Sequence, residues 1–128
     1  MASEDMITSL GAERGRDGIE LQYARARFLV ECKAAGVVPI DCPYTFSDAE
    51  GLEVETRLAR RMGYTAKSAV AIEHAEIING VLTPSEEEVA RARRIVAEFE
   101  RAYAEGRVAE VDGNFLEDRA SCLTRRTS

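Results

Sequence analysis

Gly36-Val37-Val38-Pro39-Ile40-Asp41 is the stretch that decides the fold. It is short, apolar and rich in β-branched residues, with breakers beside it, so it predicts a short buried strand ending at Asp41. Before it, Ile19, Tyr23, Ala26 and Val30 recur at the spacing of one helical face. They predict a helix from about Ile19 to Ala35, with Gly36 as its C-terminal cap. Earlier still, a helix is expected over Ser3 to Leu10, joined to the next by a connection carrying Gly11, Gly15 and Gly18. After the strand, Ser47 and Asp48 open a helix that closes near Met62-Gly63, with Val54, Leu58 and Met62 on its buried face. Lys67 to Ile72 reads as a second strand, followed by a helical turn to Asn79. Helices alternating with short apolar runs predict an α/β fold with a parallel sheet covered on both faces.

The remainder reads as an extension. Thr83-Pro84-Ser85-Glu86 is a helix start, with Thr83 as N-cap and Glu86 closing a capping box. That helix reaches about Glu105-Gly106 along a stripe of Val89, Ala92, Val96, Phe99 and Tyr103. Asp112-Gly113 between two apolar runs predicts a tight hairpin. The division expected is 1–82 as βα units and 83–128 as a helix and hairpin. Two or three short strands are too few for a complete doubly wound sheet or a closed barrel, so 1–82 reads as part of a larger barrel.

Composition excludes several classes. The 128 residues are 45% hydrophobic, enough to bury a core. A net charge of −6 argues against binding a phosphate backbone, which needs a basic face. Cys32, Cys42 and Cys122 are odd in number and lack metal-ligand spacing, so reduced thiols in the cytoplasm are expected. No basic segment precedes an apolar run at the N-terminus, and no apolar run approaches the roughly 20 residues that span a bilayer.

Several segments, in order, carry a resemblance. They are Ser3-Glu4-Asp5-Met6 with Ser9-Leu10-Gly11, Ala24-Arg25-Ala26-Arg27, Ala34-Ala35-Gly36 through Asp41, and Asp48-Ala49-Glu50-Gly51-Leu52. Gly63-Tyr64-Thr65-Ala66-Lys67, Ile78-Asn79-Gly80-Val81-Leu82-Thr83-Pro84-Ser85 and Val111-Asp112-Gly113 continue the series. The sequence resembles the HpcH/HpaI aldolase and citrate lyase β superfamily over nearly its whole length. The resemblance implies the C-terminal part of a (β/α)8 barrel, starting at about the sixth strand, in an oligomer that is commonly a trimer. It implies a Mg²⁺-dependent lyase that makes or breaks a carbon–carbon bond beside a coenzyme A thioester, of the citryl-CoA or malyl-CoA type. The substrate-gripping arginine and a metal-binding glutamate would lie on the earlier strands, leaving the Mg²⁺ site incomplete here.

Such chemistry passes through an enolate, and a Mg²⁺ held by carboxylates stabilises one as a Lewis acid. Asp5 matches the family's metal aspartate, and the backbone around Ser3 and Glu4 would face the substrate carboxylate. Glu4 and Asp5 also suit a helix N-terminus, where negative charge is stabilising. Asp41, at a strand's C-terminal end, is either a cap or a substrate-side residue on the face where barrel active sites lie. The hairpin resembles the family's lid, whose usual pattern is Asp-Gly-x-Met-Val-Asp-x-Pro. In Asp112 to Arg119, Glu117 holds the catalytic carboxylate position and Arg119 replaces the proline. An acidic turn is the other reading of Glu117 and Asp118.

A second departure follows Lys67. Ala71 and Ile72 stand where the family has His-Pro, and His74 stands where it has glutamine. A lone histidine is more often packed or on the surface than a ligand, so His74 is not assigned to catalysis. Two functional expectations result. One is a lyase C-terminal half that is inactive until a complementing chain supplies the rest. The alternative is a truncated, non-catalytic remnant that acts, if at all, as a subunit-interaction module.

Overall fold

The computed structural model describes residues 1–116. It contains α1 (Ser3–Leu10), α2 (Ile19–Ala34), β1 (Ile40–Asp41), α3 (Ala49–Met62), β2 (Ala66–Lys67), α4 (Ile72–Leu82), α5 (Glu86–Ala104), β3 (Ala109–Val111) and β4 (Asn114–Leu116). The architecture is α/β. Two compact units divide after Thr83.

In the first unit β1 and β2 pair in parallel, Ile40 with Ala66 and Asp41 with Lys67. The regular strands are shorter than the apolar runs suggested. One further ladder bond, from Ser68 N to Asp41 O at 3.0 Å, ends the pairing, and Val70-Ala71 then leads into α4. The parallel pair sits among helices in three apolar clusters. Ile7 of α1 and Leu21 of α2 meet Cys42, just after β1. Leu29 of α2 and Ala59 of α3 enclose Tyr64. Tyr44 and Leu52 pack against Ile78 of α4.

Helix α2 corrects the sequence reading. Ile19, Tyr23 and Val30 are 71%, 74% and 66% exposed, and the buried row is Leu21, Arg25 and Leu29. Spacing located the helix but assigned the wrong face, because one buried position is an arginine. The end of α2 matches expectation. Gly36 is left-handed, its N–H bonds Lys33 O at 3.1 Å, and Val37 N reaches Cys32 O at 3.0 Å. On α3, Leu52, Glu55, Thr56 and Ala59 are buried while Val54 is 63% exposed.

The start of α3 explains Asp48-Ala49-Glu50-Gly51-Leu52 physically. Asp48 is the N-cap, accepting from Gly51 N at 2.9 Å, and it also accepts from the buried Tyr44 hydroxyl at 2.9 Å. A Cβ on Gly51 would overlap both the Tyr44 hydroxyl and the Asp48 carboxylate. Gly51→Ala is therefore expected to destabilise by about 1–3 kcal/mol through overpacking, despite roughly 1 kcal/mol of better helix propensity. A thermal melt checks this. Adding Tyr44→Phe, which removes the crowding hydroxyl, should recover part of the loss.

The second unit holds α5 and the β3–β4 hairpin, packed around Ile95, Ala102, Ala109 and Leu116. The helix start lies two residues beyond the expected one. Ser85 is the N-cap and Glu88 closes the capping box, while Thr83 is used as the C-cap of α4. The buried stripe differs likewise, since Val89 is 39% and Tyr103 78% exposed. The hairpin turns at Asp112 and Gly113, both with positive φ, which matches the twist of the flanking strands.

Candidate functional site

Two groupings of polar side chains stand out in the first unit. The first is a buried charge network at the C-terminal ends of β1 and β2. Asp41 is fully buried, and Arg25 Nε and Nη2 donate to its two oxygens at 2.9 and 2.7 Å. Lys67 Nζ donates to Asp41 Oδ2 at 2.9 Å, to Glu55 Oε1 at 3.1 Å and to Cys42 O at 2.7 Å. Arg25 Nη1 lies 3.7 Å from Glu55 Oε1. Two cations thus face two carboxylates, and the fork of the guanidinium fits Asp41 bidentately. Burial pushes the Asp41 carboxyl up, but the hydrogen bonds from Arg25 and the charges of Lys67 and Arg25 hold it below its ordinary value. Tyr64 closes the network by donating to Arg25 O at 2.7 Å, and burial first, then the Asp41 charge, pushes its phenol up to about 12.

The ligand atoms of Asp41, Cys42 and Glu55 lie within 4.8 Å of one another. Lys67 Nζ bonds both carboxylates there, taking the place a cation would need. Burial, then the Asp41 charge, pushes the Cys42 thiol up, which disfavours the thiolate that binds metals. These residues brace the fold.

The second grouping is at the start of α1. Ser3 is buried, and its Oγ has no hydrogen-bond partner. Glu4 accepts from Thr45 Oγ1 at 2.9 Å and faces Arg14 Nε at 3.4 Å, which ties α1 to the loop after β1. Arg14 also bonds Glu20 Oε1 at 2.8 Å and lies over the Phe46 ring. Asp5 is exposed, and among the described residues no hydrogen bond or ion pair engages its carboxylate. It is a hard oxygen donor left open, which suits Mg²⁺. Such an ion binds through one or two carboxylates plus waters and substrate oxygens.

The structure therefore links the Ser3–Asp5 segment to the β1 loop and gives Asp41 an internal role among Arg25 and Lys67. Glu117, Asp118, Arg119 and Cys122 lie outside the described residues. Cys32 and Cys42 are free thiols. Sequence reasoning missed Arg25, Glu55 and Lys67 as a set. The signal available was Arg25 between Leu21 and Leu29, one helical turn apart on each side. Ala71 and His74, two of the three departing positions after Lys67, both line one cavity together with Phe46 and Ile77.

The HpcH/HpaI aldolase/citrate lyase family model matches residues 1–72, more than half of the sequence. The chain belongs to this family. It is 33% identical over 129 residues to a (3S)-malyl-CoA thioesterase of Cereibacter sphaeroides, covering 99% of this chain and 45% of that protein. It is 35% identical over 107 residues to the citrate lyase subunit beta of Leuconostoc mesenteroides subsp. cremoris, covering 83% and 35%. Among solved structures it is similar to CitE from Mycobacterium tuberculosis, in complex with magnesium, acetoacetate and coenzyme A. That likeness has a TM-score of 0.76 and 25% identity, over 98% of this chain and 50% of the other. RipC from Yersinia pestis gives 0.64 and 32%, over 69% and 40%.

The chain spans about a third to a half of the length of these relatives. Within the HpcH/HpaI match fall α1, the buried network and the Asp48–Leu52 motif. Among the described residues no helix is long and apolar enough to cross a membrane.

Proposed function

We propose that this chain is the C-terminal part of a Mg²⁺-dependent carbon–carbon lyase acting on a coenzyme A thioester of the citryl-CoA or malyl-CoA type. The observation that carries the proposal is the open Asp5 carboxylate beside a tethered Glu4, on a segment inside the family match. The related CitE was solved with magnesium and coenzyme A, which supports the same ligands here. When bound, the ion supplies Lewis acidity at the enolate oxygen.

The chain's own residues then have distinct tasks. Asp5 holds the ion. The backbone N–H groups of the first turn of α1, at Ser3 and Glu4, orient the substrate carboxylate at the positive end of that helix. Asp41 acts at one remove, fixing the strand end and the loop that presents Thr45 to Glu4. Glu117 serves as the lid's acid or base, its carboxylate suited to proton transfer. The βα units form the last part of a (β/α)8 barrel, completed by an N-terminal half that brings the substrate arginine and the second metal carboxylate. The working form is a cytoplasmic homo-oligomer, a trimer as in the family, or a complex with a complementing chain.

Magnesium binding tests the division of ligands. One protein carboxylate is too few for a tight site, so titration calorimetry of this chain should show weak, unsaturated Mg²⁺ binding. A single tight site abolished by Asp5→Ala would contradict a divided site.

A second reading has its own observation. The outer row of α2, Ile19, Tyr23 and Val30, is apolar and exposed, as a helix covered by another polypeptide would be. A non-catalytic subunit-interaction module would use that row without needing Asp5.

A further inference from the structure

Arg14 lies in the connection between α1 and α2 and reaches a carboxylate on each helix. Its Nη1 donates to Glu20 Oε1 at 2.8 Å and to Gly15 O at 2.7 Å, and its Nε faces Glu4 Oε1 at 3.4 Å. The guanidinium lies over the Phe46 ring, 5.0 Å from its centroid, and Arg16 lies 4.8 Å from the same centroid. The placement is costly. Only 16% of the Arg14 side chain is exposed, and among the described residues its Nε and Nη2 are buried without a hydrogen bond. A guanidinium carries five N–H donors, and leaving some of them unmet inside a protein is unfavourable. What the residue supplies in return is reach, because its planar fork spans from Glu20 to Glu4 while stacking on Phe46.

Glu4 is the neighbour of Asp5 in the first turn of α1. Its carboxylate is held from two sides, by Arg14 and by the Thr45 hydroxyl at 2.9 Å. Successive residues of an α-helix project about 100° apart, so fixing the Glu4 side chain sets the direction in which Asp5 points. We propose that Arg14 is a positioning residue, which acts through Glu4 to aim the open Asp5 carboxylate at the Mg²⁺ position. The inference rests on the lyase reading and adds which residue holds the metal carboxylate in register. Arg14 itself offers the ion no ligand atom, since a guanidinium has no acceptor. Groups of this kind matter to a metal site because they orient its ligands, and losing one costs about 10–100-fold in metal affinity.

Glu4→Gln keeps an acceptor for Thr45 and removes the charge that faces Arg14. With the N-terminal half supplied, titration calorimetry should show Mg²⁺ bound about tenfold or more weakly in Arg14→Gln and in Glu4→Gln. The double variant should be no weaker than either, because both substitutions break one link. Arg16→Gln is the control, since Arg16 shares the Phe46 ring but pairs with Asp48. Its Mg²⁺ affinity should hold, whatever happens to the melting temperature. In the full chain alone, without metal, the amide NMR signals of Glu4 and Asp5 should move in Arg14→Gln and stay in place in Arg16→Gln. Unchanged Mg²⁺ affinity in Arg14→Gln and Glu4→Gln, with binding lost in Asp5→Ala, would overturn the positioning role and leave the lyase reading standing. Additive losses in the double variant, or an equal loss in Arg16→Gln, would overturn it too, by making the effect one of general loop stability. Where Arg14→Gln fails to fold, Glu4→Gln decides alone, at a side chain 53% exposed, and unchanged affinity there sinks the role. Mg²⁺ affinity indifferent to Asp5→Ala would remove both.

Discussion

Asp41→Asn is expected to cost about 3–5 kcal/mol, because it leaves buried charge without its partner. Arg25 and Lys67 both donate to the Asp41 carboxylate, and the Glu55 carboxylate alone would remain to face two cations. Against a total stability of about 5–15 kcal/mol for a domain, that loss removes a large fraction of the stability and unfolds many molecules only where the total is near the low end. Urea unfolding of the chain and the variant measures it. Lys67→Met should be costly alone, yet the double variant should cost clearly less than the sum, because each substitution removes the other's unpaired charge.

The same pair has a pH signature. The folded Asp41 carboxyl sits below its unfolded value, so its contribution is complete above about pH 5. It is lost as pH falls from the unfolded value of about 3.9 through the lower folded one. The stability gap between wild type and Asp41→Asn should therefore narrow on acidification and stay constant from neutral to mildly alkaline pH. A gap that widens toward acid would contradict the network's charge assignment.

The second large effect is catalytic and belongs to the completed protein. With the N-terminal half supplied, Asp5→Ala should lower turnover by about 10³-fold, the scale on which removing a preorganised electrostatic stabiliser acts. It should weaken Mg²⁺ binding in parallel. Glu117→Gln should lower turnover while leaving Mg²⁺ binding largely intact, since a lid acid acts on protons. Steady-state kinetics at saturating Mg²⁺ separates the two. Unchanged turnover in Glu117→Gln would make the tail structural.

Much of the fold was legible because it follows local rules. Gly36 at the end of α2, Asp48 at the start of α3 and Asp112-Gly113 in the hairpin each act within a few residues. What was not legible depends on partners distant in sequence. Arg25, Glu55 and Lys67 look solvent-facing when polarity is read as exposure, yet Asp41 makes their burial tolerable. That arginine displaced the apparent apolar face of α2 onto the outside. At the start of α5, Thr83 and Ser85 both satisfy the capping pattern, and Ser85 takes it because Thr83 terminates α4. For the candidate site, Asp5 is proposed from its motif, whereas the tether of Glu4 to Thr45 spans 41 positions and no local pattern encodes it.

The most direct measurement is cleavage of malyl-CoA and citryl-CoA by this chain, alone and with an N-terminal half, from its own gene or from the Cereibacter sphaeroides relative. In the proposed function the substrate arginine and second metal carboxylate belong to that half, so the chain alone would lack both the orientation and the electrostatic preorganisation that lower the barrier. The expected result is no detectable turnover alone at excess Mg²⁺, turnover when the half is present, and its loss with Asp5→Ala. Turnover by the chain alone, or restored turnover indifferent to Asp5→Ala, would contradict a divided active site in which Asp5 holds the metal.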